Sequence, residues 1–370
     1  SIGGLRNVNA DFILAIGELG KEKGIDPELL FQAVEEALVT AYKKNFGSNQ
    51  NVRVDMNKVT GELHIYAQRH IVAEVGDDPN EISLEEARKI DPRYEVDDIV
   101  ETEVTPRNFG RIAAQNAKQV VVQRIREAER GMVFEKFSSR ENDIVTGIIQ
   151  RMENKNVYID LGKAEAILTP NEQIPGEIYQ YHDRMKTYIV EVKKTSKGPQ
   201  IMVSRTHPGL LKRLFELEVP EIHDGLVEIK SVAREPGMRS KISVYTKDEN
   251  IDPVGACVGH KGMRVQTIVN ELRGEKIDIV KYSSEPDQYV ANALSPAKVV
   301  STEVLEEEKI CRVIVPDYQL SLAIGKEGQN ARLAAKLTGW KIDIKSESQA
   351  AEEAEQGAQE VGVAYEADED

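Results

Sequence analysis

Two tetrapeptides with glycine at both ends and a lysine between them mark this 370-residue chain: Gly259-His260-Lys261-Gly262 and Gly325-Lys326-Glu327-Gly328. Paired glycines let the backbone take positive φ and leave no Cβ between the main chain and an approaching ligand. A helix that starts directly after such a turn aims its amide groups and positive end outward, and the natural ligand there is phosphate. Lys261 and Lys326 add charge to the two loops, and Arg264 and Arg332 follow on the next helical stretch. His260 offers a ring to a sugar-phosphate, and Gln329 stands directly after the second loop. Glu327 has the wrong sign and opposes phosphate at the second loop. A nucleotide-binding loop of the form GxxxxGK[ST] does not fit. Counted from Gly255, it needs glycine at 260, where His260 stands, and no Ser or Thr follows either lysine.

The elements around the loops repeat. Each loop is followed by a helical stretch, to Leu272 or Leu337, and then by Lys276-Ile277-Asp278-Ile279 or Lys341-Ile342-Asp343-Ile344. Each is preceded by two β-rich runs, residues 227–232 with 241–245 and residues 299–304 with 310–315. The order helix, strand, strand, helix, GxxG, helix, strand is that of a type II KH domain, whose loop clamps about four nucleotides of single-stranded nucleic acid. Two tandem copies are expected, over residues 207–283 and 284–347.

Upstream, residues 144–150, 156–161, 164–169, 186–192 and 200–203 are short β-rich runs separated by turn residues. Five short strands in so little chain predict a small OB-type β-barrel over residues 137–206. The segment resembles an S1-type RNA-binding domain. Tyr158, with Lys155 and Arg151 nearby, is the candidate stacking platform. Thr169 stands where that type often carries a histidine. Tyr179, Tyr181 and His182 form a second aromatic cluster, readable as an RNA face or as barrel wall.

Residues 1–136 predict an α+β unit. Asp26-Pro27-Glu28 supplies a helix cap, a first-turn proline and a first-turn acid, and apolar residues then recur at helical spacing to Phe46-Gly47. Residues 51–56 and 62–67 flank Thr60-Gly61 as a hairpin, and Ser83-Leu84-Glu85-Glu86 is a capping box. A strand at 99–104 leads to a long helix over about 108–134.

Net charge is −15, which argues against nucleic acid until the chain is divided. Residues 1–136 carry 18 basic and 24 acidic side chains, and residues 348–370 carry 0 and 8. Residues 137–206 carry 10 and 9, residues 207–283 carry 12 and 12, and residues 284–347 carry 8 and 10, so the middle is near neutral. The acidic tail, 348–370, is expected to be disordered. Cys257 and Cys311 are far apart on apolar runs, which predicts core thiols in a reducing cytoplasm. The six histidines make no metal-ligand spacing. Neither a metal nor a cofactor is expected, and no apolar run predicts a membrane span or a secretory signal.

An α+β unit, an S1 barrel and two KH domains in this order resemble the NusA family of bacterial transcription factors. The stretches that carry the likeness are Phe109-Gly110-Arg111-Ile112-Ala113-Ala114-Gln115, His207-Pro208-Gly209-Leu210-Leu211 and Ser321-Leu322-Ala323-Ile324-Gly325-Lys326. The resemblance implies a cytoplasmic, monomeric, non-enzymatic factor that binds RNA polymerase through its amino-terminal domain and nascent single-stranded RNA through its other domains. It implies effects on pausing, termination and antitermination, together with other elongation and antitermination factors. The alternatives are a phosphorolytic RNA-processing enzyme, for which 136 amino-terminal residues leave little room, and a ribosome-associated RNA chaperone.

Overall fold

The computed structural model describes residues 10–77 and 79–355. They fall into two units, divided between Val133 and Phe134, each with its own core.

The first unit begins with α1 (Ala10–Lys23) and α2 (Pro27–Phe46). Asp26 caps α2 by accepting the Glu28 amide at 2.9 Å, and Gly47 ends it in the left-handed conformation. β1 (Asn51–Met56) and β2 (Leu63–Val72) form the expected hairpin, and β3 (Glu81–Ser83) and β4 (Ile99–Glu103) also pair with β2. Between them α3 (Leu84–Ile90) starts at Ser83, whose hydroxyl accepts the Glu86 amide. The strict alternation of exposed and buried residues in β1 puts Val52, Val54 and Met56 inward. They pack with Leu30, Val34 and Leu38 of α2 and with Phe109, Ala113, Ala117 and Val121 of α4 (Phe109–Ser138).

The second unit opens with a closed five-stranded barrel: β5 (Ile144–Glu153), β6 (Asn156–Asp160), β7 (Glu165–Leu168), β8 (Arg184–Thr195) and β9 (Gly198–Ser204), ordered β5-β6-β7-β9-β8. Asn154 and Lys155 both take positive φ in the β5–β6 turn, matching a tight hairpin.

Two copies of one small fold follow. The first is α5 (Pro208–Glu218), α6 (Pro220–His223), β10 (Glu228–Glu235), β11 (Arg239–Tyr245), α7 (Pro253–Val258), α8 (Met263–Glu271) and β12 (Lys276–Lys281). The second is α9 (Pro286–Ala293), β13 (Ser301–Leu305), β14 (Ile310–Val315), α10 (Leu320–Ile324), α11 (Gln329–Thr338) and β15 (Lys341–Ser346). In each, the middle strand pairs antiparallel with the strand before it and parallel with the one after it. These are the two KH folds the repeat predicts, behind an S1-type barrel.

Charged side chains fix the three domains of this unit to one another. Fully buried Arg205, just past β9, pairs with buried Glu177, donates to the Lys186 carbonyl (2.9 Å) and reaches the Glu271 carbonyl of α8 (3.0 Å). Glu271 also accepts the Lys186 amide at 3.0 Å. Buried Lys241 of β11 donates to Asp278 (2.8 Å) and to the Ser295 carbonyl just after α9 (2.7 Å). Each buried charge has an ionic partner, which is what makes its burial tolerable. Helices α9 and α11 have apolar neighbours on two sides: Cys311, Val313 and Val315 of their own β14, and Ala233 and Val280 of the first KH sheet.

Cys257 and Cys311 are both fully buried, as expected of core thiols. Burial pushes the Cys257 thiol up to about 12 and the Cys311 thiol up to about 11.

The tail expectation needs correcting. Residues 347–355 are helical, so order continues past 348, while 356–370 lie outside the described residues. Ser346 and Gln349 form a reciprocal capping box, with each side chain accepting the other's amide (3.1 and 3.3 Å). Asp317 accepts the Ser348 amide and hydroxyl at 3.1 and 2.6 Å, and Lys345 pairs with Glu353.

Candidate nucleic-acid interface

Each GxxG turn is made by the helix that ends at its first glycine. The Gly259 amide donates to Gly255 and that of Gly262 to Gly259; Gly325 donates to Ser321 and Gly328 to Gly325. The dihedrals coincide from loop to loop. First glycines lie at φ 75, ψ 174 and φ 80, ψ 168, and last glycines at φ 77, ψ 12 and φ 74, ψ 14. Between them Lys261 (φ 49, ψ 28) and Glu327 (φ 54, ψ 26) occupy the left-handed region, which side chains other than glycine rarely adopt.

The paired glycines serve two purposes. A Cβ on Gly259 would sit 2.7 Å from Arg264 Cγ, and one on Gly325 would sit 2.7 Å from the Asn330 backbone nitrogen. These first glycines let the next helix approach. A Cβ on Gly262 or Gly328 would meet nothing within 4 Å. The last glycines therefore leave an open surface at the start of α8 and α11, where a phosphodiester can lie against the main chain.

His260, Lys261, Lys326 and Glu327 are exposed around these surfaces. The two arginines are engaged within the protein. Arg264 donates from Nη1 to Glu221 (2.9 Å) and to the Ala256 carbonyl (2.6 Å), tying α8 to α6 and α7. Its counterpart five residues past the first glycine is Asn330, not Arg332. Buried Asn330 donates to the carbonyls of Ala323 and Leu294, both at 3.0 Å. Arg332 donates to Glu235 (2.6 Å) and to the Glu327 carbonyl (3.1 Å), and Gln329 donates to Glu235 at 2.8 Å. Neither Glu235 nor Asn330 is distinguished by sequence spacing.

On the barrel, Tyr158 is half-buried and the Arg151 guanidinium lies 3.8 Å from its ring centre. Arg151 is held there by Glu165 (2.7 Å) and Glu153 (2.9 Å), so one face of the candidate platform already carries a cation. Tyr179 is barrel wall: it is buried, and its hydroxyl donates to Glu177 at 2.7 Å and accepts the Ile174 amide at 3.0 Å. Tyr181 is exposed and meets His182 edge-on at 3.9 Å.

Comparison with known proteins gives matches along nearly the whole described chain. Four family descriptions match in succession: NusA N-terminal domain (residues 11–131), S1 RNA binding domain (138–204), NusA-like first KH domain (205–282) and NusA-like second KH domain (286–352). A transcription termination/antitermination protein NusA from Halalkalibacterium halodurans is 65% identical over 345 residues, covering 93% of this chain and 90% of the relative. The protein of the same name from Bacillus subtilis is 64% identical over 345 residues, covering 93% of each chain. A solution structure of the N-terminal domain of NUSA from B. subtilis is 55% identical, with a TM-score of 0.30, over 33% of this chain and 98% of that one. Such identity across nearly the full length of both relatives leaves one assignment: the chain belongs to the NusA family.

Proposed function

We propose that this protein is an RNA-binding factor of transcription termination and antitermination. In this role the S1 barrel and the two KH loops hold single-stranded RNA, and the amino-terminal unit docks on RNA polymerase. The single observation that carries the RNA assignment is the pair of exposed GxxG turns with coincident dihedrals, each ending in a glycine whose missing side chain faces open space. Each turn suits about four nucleotides, and joining two weak sites raises their combined affinity. Gly259, Gly262, Gly325 and Gly328 would admit the backbone, His260, Lys261 and Lys326 would meet phosphate, and Tyr158 with Arg151 would meet a base. Arg264, Arg332 and Gln329 would contribute chiefly by holding the loops in shape.

The names of the relatives support the transcription role, and the acidic amino-terminal unit suits a protein partner better than RNA. Its match to a NusA domain occupies the place where a phosphorolytic enzyme would need a catalytic core. We place the domain limits near residues 136, 206 and 283, and the site of action in the cytoplasm as a monomer without catalysis. No described helix is long and apolar enough to cross a membrane.

Replacing His260 and Lys261 by aspartate in the full chain tests the RNA assignment. Affinity for an unstructured single-stranded RNA in low-salt filter binding should fall by about tenfold or more, because each charge added against phosphate opposes binding. The thermal midpoint should stay in place. Unchanged affinity removes the first loop from the RNA path.

A further inference from the structure

One carboxylate of the first KH domain reaches the loop of the second. Glu235 closes β10, and its side chain is 16% exposed. One oxygen accepts Arg332 Nε at 2.6 Å and the other accepts Gln329 Nε2 at 2.8 Å. Gln329 is the first residue of α11. Arg332 passes the contact on, donating from Nη1 to the carbonyl of Glu327, the loop residue held at φ 54. A group on one domain thus grips the helix start and, through a guanidinium, the strained loop residue of its neighbour. The first loop lacks this brace. At the position matching Arg332 it has Gln266, which donates within α8 to Asn270 at 2.9 Å, and its Arg264 is tied to Glu221 of the same domain.

We propose that Glu235 is a positioning residue for RNA, setting where the second GxxG loop stands relative to the first so that one strand enters both in register. This rests on the two-loop reading above. Guanidinium–carboxylate bonds are short and directional, so they fix orientation as well as distance. The value of a second binding site depends on that orientation, because two linked sites reinforce each other only if one ligand can occupy both without strain.

Charge and position predict opposite signs. If Glu235 acted on RNA only as a nearby negative charge, removing it would strengthen binding. As a brace, its removal weakens binding, and only for strands that reach both loops.

The experiment uses the full chain with Glu235→Ala and two unstructured RNAs, one of about twelve nucleotides and one of about four, the length a single KH loop clamps. The native chain should bind the long strand at least about a hundredfold more tightly than the short one. In Glu235→Ala that advantage should shrink by about tenfold, while short-strand affinity stays within about twofold. Purely structural damage would lower both affinities together and leave their ratio intact. A ratio unchanged in the variant, or a gain in long-strand affinity, overturns the proposal while leaving the two-loop reading standing. A native chain with no length advantage overturns the two-loop reading and the proposal with it. If Glu235→Ala does not fold, Glu235→Gln keeps the volume and one acceptor, and should shrink the ratio in the same direction by about threefold.

Discussion

The two GxxG loops share a backbone and differ in almost everything attached to it. The first carries His260 and Lys261 and is pinned by Arg264 to Glu221 within its own domain. The second carries Lys326 and Glu327 and is gripped by Glu235 of the other domain. Their dihedrals nevertheless agree within about 7° at every glycine. Glycine placement and the helix that packs behind it fix the turn, so the side chains between the glycines are free to set charge. If both loops meet RNA as proposed, the first is the electrostatic contributor of the pair, and the second relies on shape and on its neighbour.

The largest effect should come from attacking that shared backbone. Gly325→Ala drives a Cβ to 2.7 Å from the Asn330 nitrogen in a conformation alanine does not adopt. It should cost about 3 kcal/mol or more, since strain and a clash with main chain add. Gly328→Ala meets open space and should cost only about 1 kcal/mol for its positive φ. Urea denaturation of both variants decides the point, and equal losses would mean that the two glycines do not have separate roles.

A smaller effect should follow from making the second loop resemble the first. Lys261 already occupies the left-handed position that Glu327 holds, so Glu327→Lys adds no backbone strain. Affinity for single-stranded RNA at low salt should rise about fivefold, and the slope of log affinity against log salt should steepen by about 0.7 per cation that meets a phosphate. A salt series with an unchanged slope would place this side chain away from the phosphates.

The smallest effect concerns pH. The hydrogen bond from Arg332 holds the Glu235 carboxyl below the usual glutamate range, with burial opposing and Gln329 assisting. A depressed carboxylate stabilises the fold above its unfolded value and loses that contribution as pH falls through the folded one. The native chain should therefore be more stable than Glu235→Gln at neutral pH, and the gap should close as pH drops below about 4. Melting curves with a constant gap from neutral pH down to that range would show that the ionised carboxylate contributes nothing at this seam.

Local chemistry was legible in the sequence, and distant pairing was not. The Asp26 cap, Pro27 and Gly47 bound α2 where the structure has it, and the barrel strands and both loops fall where turn residues and spacing put them. Those features depend on neighbours a few residues apart. The partners of Arg264 and Arg332 lie 43 and 97 residues away, which no spacing rule reaches, so the sequence places both arginines beside the loops without revealing the acids that hold them. The missed helix at 347–355 is a different kind of error. Ser346-Glu347-Ser348-Gln349 is a capping box ahead of strong helix formers, and its charge content obscured a local signal that was present.

The helical layer of α9 and α11 has the longest reach of these features, because it belongs to two sheets at once. Cutting the chain after the first KH domain would strip the cover from Ala233 and Val280 and leave Lys241 without the Ser295 carbonyl. What remained would present a bare seam to water and tend to stick to whatever could close it. The repeats are thus laminated, and neither can be borrowed as a stand-alone module without supplying the missing ply.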